Sequence, residues 1–214
     1  MYFLKLQDTK PVYPETCITI NSFIMSKSLN ELTKEEIAQL FPVVLSPYDT
    51  RWPELFELEK CIILETLENT ALRIEHFGST AIPGLTAKDT IDLLIEIPED
   101  ESLHADIIEK MKPLGYEFMW QTDANPPYMV FAKGYNTAKK EQTYHIHMGP
   151  GNHSLWDRLY FRDYLRENPD HATAYETLKL QLAKQYEFDR VGYRIAKTEF
   201  VTRITAQAKA YYTT

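Results

Sequence analysis

"RIEHFGSTAIPGLTAKDTIDLLIEI", residues 73–97, decides the fold of this chain. It reads as a strand over 72–77, a Gly78-Ser79 turn, a Pro-Gly interval, and a second strand over 91–97. The second strand keeps one acid, Asp92, inside an apolar run. An unpaired charge buried there is costly, so Asp92 needs a partner, a metal or a chemical task. Gly78 lets the backbone approach a bulky anion, and Ser79 adds a hydroxyl and an N–H at the start of a turn. A carboxylate on the neighbouring strand then stands where a divalent metal would meet a phosphate. The plainer alternative is a strand–turn–strand unit in which Asp92 bonds a nearby backbone or basic group.

Upstream, "VVLSPYDTRWPELFELEKCIILETLEN" (43–69) supplies a brief strand, a turn and a long helix. Pro53 suits the first helical turn, and Trp52, Leu55, Phe56, Ile62, Ile63 and Leu67 form one apolar stripe. Tyr48, Arg51 and Trp52 read as packing where that helix begins. Thr33 with Glu36 makes a capping box for a short helix that stops before Pro42. Residues 1–42 read as an N-terminal extension, with Met25 as an alternative start. Residues 43–208 form one domain, and 209–214 a tail.

Downstream, a helix runs through Ile107, Ile108 and Met111 and closes near Gly115. "YEFMW", "YMVFAK" and "QTYHIHM" follow as three strands in an antiparallel meander. From Asn152 the chain is helical, over 153–167, 171–187 and 190–212, with Asp170 as an N-cap. The fold class is α+β: a small mixed or antiparallel sheet flanked by helices, with a helical C-terminal region.

The formal net charge of the 214 residues is -8, which argues against an extended nucleic-acid surface though not against a local basic pocket. Two cysteines without a CxxC or Cys/His cluster argue against a structural zinc site or a disulfide framework. No apolar run approaches the ~20 residues of a membrane span, so a cytoplasmic protein is expected.

His145 and His147 alternate across Ile146, so both imidazoles share one strand face. With Asp92 they would make a three-ligand site suited to zinc, manganese or iron. The same two rings suit hydrogen bonding to phosphate, or acid–base work near pH 7. His76 could join them. Arg162 has the fork to grip an anion, Lys179 interrupts an apolar helix stripe and points inward, and Lys88 precedes the acid strand. For Arg162 and Lys179, salt bridges locking helices to the sheet are the competing reading. The 14 tyrosines suggest a cleft lined with amphipathic rings.

Several words in order resemble the GrpB family, within the nucleotidyltransferase superfamily of polymerase-beta-like fold. They are "SPYDTRWPELFELEK" (46–60), "IEHFGSTAIPGL" (74–85), "AKDTIDLLIEI" (87–97), "TYHIHM" (143–148) and "FRDYLRENPD" (161–170). On this scaffold a nucleotide is expected at Gly78, Ser79 and Thr80, with Lys88, Arg162 and Lys179 as further candidate contacts. A divalent metal (Mg, Mn or Zn) is expected at Asp92 with help from His145 and His147, and the leading expectation is transfer of a nucleotidyl group to an acceptor. Such enzymes hold magnesium with two acids one residue apart on the second strand; here Thr90 or Leu94 stands where the second acid belongs. That gap favours an alternative, a non-catalytic nucleotide-binding or accessory module related to the domain appended to dephospho-CoA kinase. A metal-dependent phosphoesterase is a third reading.

Overall fold

The central sheet of the computed structural model has five strands: β1 (Arg73–Phe77), β2 (Thr90–Glu96), β3 (Glu117–Gln121), β4 (Met129–Lys133) and β5 (Thr143–Gly149). Their order is β1-β2-β5-β4-β3. The structure describes residues 31–123, 125–135 and 141–213, so most of the expected N-terminal extension, Met25 included, lies outside the described residues. Strands β3, β4 and β5 form the expected antiparallel meander, and β1 pairs antiparallel with β2. The pairing of β5 with β2 is parallel, which makes the sheet mixed.

Side-chain alternation divides the two faces. Ile91, Leu93 and Ile95 of β2 join Met129 and Phe131 of β4 and Ile146 and Met148 of β5 in the main core, all without measurable exposure. Burying each such side chain contributes roughly 1.5–3 kcal/mol before entropy is counted. Helices α2 (Trp52–Leu67) and α3 (His104–Met111) cover this face. Ahead of them, α1 (Lys34–Leu40) opens with the expected capping box: Thr33 Oγ1 accepts from the Glu36 N–H, and Glu36 accepts from the Thr33 N–H.

The buried stripe of α2 differs from expectation. It runs Trp52, Phe56, Glu59, Ile63, Leu67, whereas Ile62 is 41% exposed. Steps of four, three, four and four residues keep one face, and Ile62 lies about 100° off it. The polar slot in the stripe is satisfied: Glu59 accepts from Lys133 Nζ at 2.7 Å and from the Tyr116 hydroxyl at 3.0 Å. Trp52 donates its indole N–H to Asp89 Oδ1 at 2.9 Å, tying Asp89 to α2.

The opposite face carries Phe77 and Leu94 against Leu155 and Leu159. Here lie α4 (Asp157–Glu167), α5 (Pro169–Gln185), α6 (Arg190–Ala196) and α7 (Thr198–Tyr212). The helix expected over 190–212 is thus divided at Lys197. Asn168, not Asp170, takes the N-cap position of α5, because Pro169 fits the first helical position and places Asp170 inside the first turn. A second apolar cluster, including Ile82, Leu85, Leu165, Tyr175 and Ile204, joins these helices to the loop between β1 and β2. Among the described residues, no helix is long and apolar enough to cross a membrane.

Candidate functional site

The β1–β2 loop is shaped by Gly78, whose φ is +72°. A Cβ at this position would overlap Asp92 Oδ2 and lie 3.0 Å from Asp92 Cγ. Glycine is therefore required twice, for its backbone and for its contact with the carboxylate. Ser79–Ala81 follow as a short 3-10 turn. The rest of the loop is tied down by the helices. Arg166 donates through Nε and Nη2 to the Ala81 carbonyl at 2.9 and 2.7 Å, Glu176 accepts from the Thr86 N–H at 2.8 Å, and Lys179 Nζ donates to the Thr86 carbonyl. Thr80 Oγ1 donates to the Thr90 carbonyl at 3.1 Å, closing the loop on β2.

Strand register brings the central groups together. Phe77 is opposite Asp92 on β1–β2, and Asp92 is opposite His145 on β2–β5. Asp92 Oδ1 lies 3.4 Å from His145 Nδ1. On the other side of the ring, His145 Nε2 shares a hydrogen bond with the Tyr135 hydroxyl, and the two rings stack with centroids 5.4 Å apart. Nε2 of His145 is thus engaged in a hydrogen bond, while Nδ1 faces the Asp92 carboxylate.

His147 does not complete a three-ligand set with them. Two residues along an extended strand span about 6.6 Å. Its ring instead sits against Phe77 and Tyr128, with centroids at 5.5 and 5.7 Å. Burial, with Arg158 close by, pushes its pKa well below the ordinary imidazole range and keeps the ring neutral. Among the described residues, no group of three or more His, Cys, Asp or Glu side chains could hold a metal ion. Leu94, one candidate position for a second acid, is fully buried with Phe77 and Leu155. Thr90, the other, pairs its hydroxyl with that of Thr143 at 2.8 Å. What remains is one carboxylate beside one engaged imidazole, which does not fit the oxygen-rich shell that magnesium demands.

A cleft of about 600 Å³ opens above these groups, between the sheet and helices α4–α7. Asp92, His145, His147, Gly78, Ser79, Thr80, Lys88 and Lys179 all line it. So do Arg158, Arg190, Arg194 and Lys197, which makes six cationic side chains and a single carboxylate. Burial is the largest influence on the three lysines. It draws Lys88 and Lys179 down to about 7 and Lys197 down to about 8, with neighbouring cations adding to the effect for Lys88 and Lys179. Asp92 pulls Lys88 and Lys197 the other way. Basic groups are therefore concentrated in this cleft, and burial disfavours the charged form of its three lysines.

Two expected site residues lie elsewhere. His76 alternates with Phe77, so it faces α2, stacks on Phe56 at 4.8 Å and bonds Thr80 Oγ1 at 3.0 Å. Burial there brings its pKa down to about 4. Arg162 does not line the cleft: Nη1 donates to Glu75 Oε2 and the His76 carbonyl, while Nε and Nη2 donate to Asp163. It locks α4 to β1, so the salt-bridge reading holds. For Lys179 the inward direction is as expected, but its amine is committed to the Thr86 carbonyl and lies over the Tyr175 ring at 4.9 Å. Sequence reasoning missed Arg158, Arg190, Arg194, Lys197, Tyr128 and Tyr135. One signal was present: Arg190, Arg194 and Lys197 recur at steps of four and three, a basic helix face in an acidic chain.

The GrpB protein family model matches residues 42–207. The chain belongs to the GrpB family. A UPF0157 protein of Pseudomonas aeruginosa is 39% identical over 165 residues, covering 77% of this chain and 66% of that protein. The glutamate-rich protein GrpB of Alkalihalophilus pseudofirmus is 31% identical over 163 residues, covering 76% of this chain and 93% of its own length. The crystal structure of the conserved protein GrpB from Enterococcus faecalis superimposes with a TM-score of 0.68 at 32% identity, over 79% of this chain and 99% of that one. The mixed sheet and the helices that roof its cleft thus lie within the GrpB part of the chain, except for the last residues of α7.

Proposed function

We propose that this GrpB-family protein binds a nucleotide in the cleft, with the phosphate chain along Gly78-Ser79 and the surrounding cations. One observation carries this reading. A cleft of about 600 Å³ holds six cationic side chains and one carboxylate, in a chain whose net charge is -8. That volume is in the range of small-ligand sites. Trp120 and Tyr128, also in the lining, offer ring faces to a base. The test is calorimetric titration of the full chain with ATP, GTP, CTP and UTP. Saturable binding of at least one of them is expected, and no heat from any would overturn the reading.

A second reading, transfer of a nucleotidyl group to a hydroxyl or amine, is favoured by Asp92 beside His145 in the same cleft. The acceptor oxygen or nitrogen would bond the α-phosphorus, pyrophosphate would leave with the bonding pair, and His145 would take the acceptor's proton. With Nε2 on Tyr135 and Nδ1 facing Asp92, His145 must first release one partner, which ranks this reading second. Incubation with α-phosphate-labelled triphosphates and candidate acceptors decides it. Label incorporated by the wild type and lost in His145→Ala supports transfer; incorporation that survives the substitution sinks it.

A further inference from the structure

We propose that the cleft takes the phosphate chain as a free polyanion, with Lys88, Arg158, Arg194 and Lys197 supplying the positive charge that a divalent metal would otherwise bring. The proposal rests on the nucleotide reading of the cleft and specifies how that ligand is held. Elsewhere in the fold, buried or half-buried cations have carboxylate partners: Lys133 has Glu59, Arg162 has Glu75 and Asp163, Lys209 has Asp157. Among the described residues, Lys88, Arg158, Arg194 and Lys197 have none. Arg158 also has its Nη1 buried without a hydrogen-bond partner. Lys197 lies over the face of the Tyr193 ring, at 4.2 Å, a contact that leaves N–H donors of the ammonium directed away from the ring for an anion.

Four cations without carboxylate partners, crowded into one cleft, repel one another, and desolvation adds to the cost of Lys88, Arg158 and Lys197. A polyanion relieves both terms at once, by giving every cation a charge-assisted hydrogen bond. A divalent cation does the reverse. It would enter among like charges and find one carboxylate, Asp92, whose Oδ2 is already packed on Gly78. The depressed ammonium groups of Lys88 and Lys197 fit the same picture, because a bound anion would restore their protons. Asp92, in this arrangement, positions His145 and the Gly78 turn and opposes the ligand's charge.

Calorimetric titration of the full chain with ATP and with inorganic triphosphate, each in EDTA and in excess Mg2+, tests this. ATP is expected to bind in EDTA at least as tightly as with Mg2+. Arg194→Gln, at an exposed position, should weaken ATP in EDTA by roughly tenfold, and Lys197→Met by a similar factor. Asp92→Asn should leave affinity unchanged or raise it. A gain in protein-bound protons on binding, read as a buffer-dependent heat at pH 8, is also expected. Binding that needs Mg2+, or that Asp92→Asn abolishes, overturns the proposal while the nucleotide reading stands. Triphosphate that binds in EDTA as tightly as ATP supports the proposal and overturns the nucleotide reading. No binding of either probe in either buffer overturns both.

Discussion

Substituting Gly78 by alanine tests the geometry on which the whole site depends. Gly78 has φ +72° and ψ -172°, a backbone region that is essentially glycine's own. Holding another residue there costs about 1–3 kcal/mol. The new methyl would also overlap Asp92 Oδ2 and crowd Asp92 Cβ at 3.1 Å. The carboxylate must then swing off its rotamer, for about 0.5–1.5 kcal/mol more. Together these give a loss of about 2–4 kcal/mol. For a chain of this size each kcal/mol lowers Tm by roughly 2–4 °C, so a fall of roughly 5–15 °C is expected.

Two comparisons separate the backbone cost from the collision. Gly84 also has a positive φ, +78°, but a Cβ there meets nothing within 4 Å. Gly84→Ala should therefore cost only the backbone part, about 1–2 kcal/mol. Asp92→Ala removes the group that the added methyl would strike, so the double variant should recover about 1 kcal/mol relative to additivity. Urea unfolding of the wild type, the three single variants and the double variant measures all of these quantities. If Gly78→Ala costs no more than Gly84→Ala, and is additive with Asp92→Ala, the proposed contact between the turn and the carboxylate is wrong.

Lys133→Met leaves Glu59, which is 4% exposed, without its 2.7 Å partner, and should destabilise by about 3–5 kcal/mol in urea unfolding. Adding Glu59→Met should restore most of that loss, and a double variant no more stable than the single one contradicts the buried-pair account. Arg162→Lys breaks a fork that spans Glu75, the His76 carbonyl and Asp163; it should cost about 1–3 kcal/mol while ATP affinity stays within about twofold. Burial lowers the His76 pKa from 6.5 to about 4, so the unfolded chain binds its proton first as pH falls. The stability it contributes is intact above pH 6.5 and is lost as pH drops through 4, by about 3 kcal/mol. His147 acts in the same direction. Urea midpoints of wild type and His76→Gln between pH 7 and 4 should show a shallower decline in the variant; equal slopes would contradict the buried neutral ring.

Much of the fold was legible because its signals are local. The strand pair over 73–97, the meander of three strands and the capping box at Thr33 each depend on residues close in sequence, and each formed. Ile62 and Glu59 show where local reading fails. Hydrophobicity placed Ile62 in the α2 stripe, but helical phase put Glu59 there, and the partner that makes a buried acid tolerable comes from β4. The site divides similarly. Gly78, Asp92 and the vacant acid positions could be read from one stretch. The parallel pairing of β2 with β5 could not, and it alone sets Asp92 against His145. Arg162 and Arg194 carry the same guanidinium, yet one is bound by two carboxylates and the other faces the cleft. Nothing in a residue's type distinguishes those fates.

The contrast between the cleft and the rest of the molecule bears on how salt should act. An acidic exterior opposes the approach of an anion, but at physiological ionic strength that repulsion fades beyond about 8 Å. Cations that are half-buried between the sheet and α4–α7 are screened much less. Added salt therefore relieves the outer repulsion while sparing more of the inner attraction. A loose basic surface patch would behave otherwise, losing affinity steeply because every one of its charges is open to counterions. The two arrangements differ in what holds the charges in place. A surface patch relaxes when its ligand leaves, whereas Lys88 is carried on the β1–β2 loop and Lys197 on the α6–α7 junction, both lining the cleft. In the proposed mode of binding, that placement, more than the number of cations, would favour a ligand of high charge density.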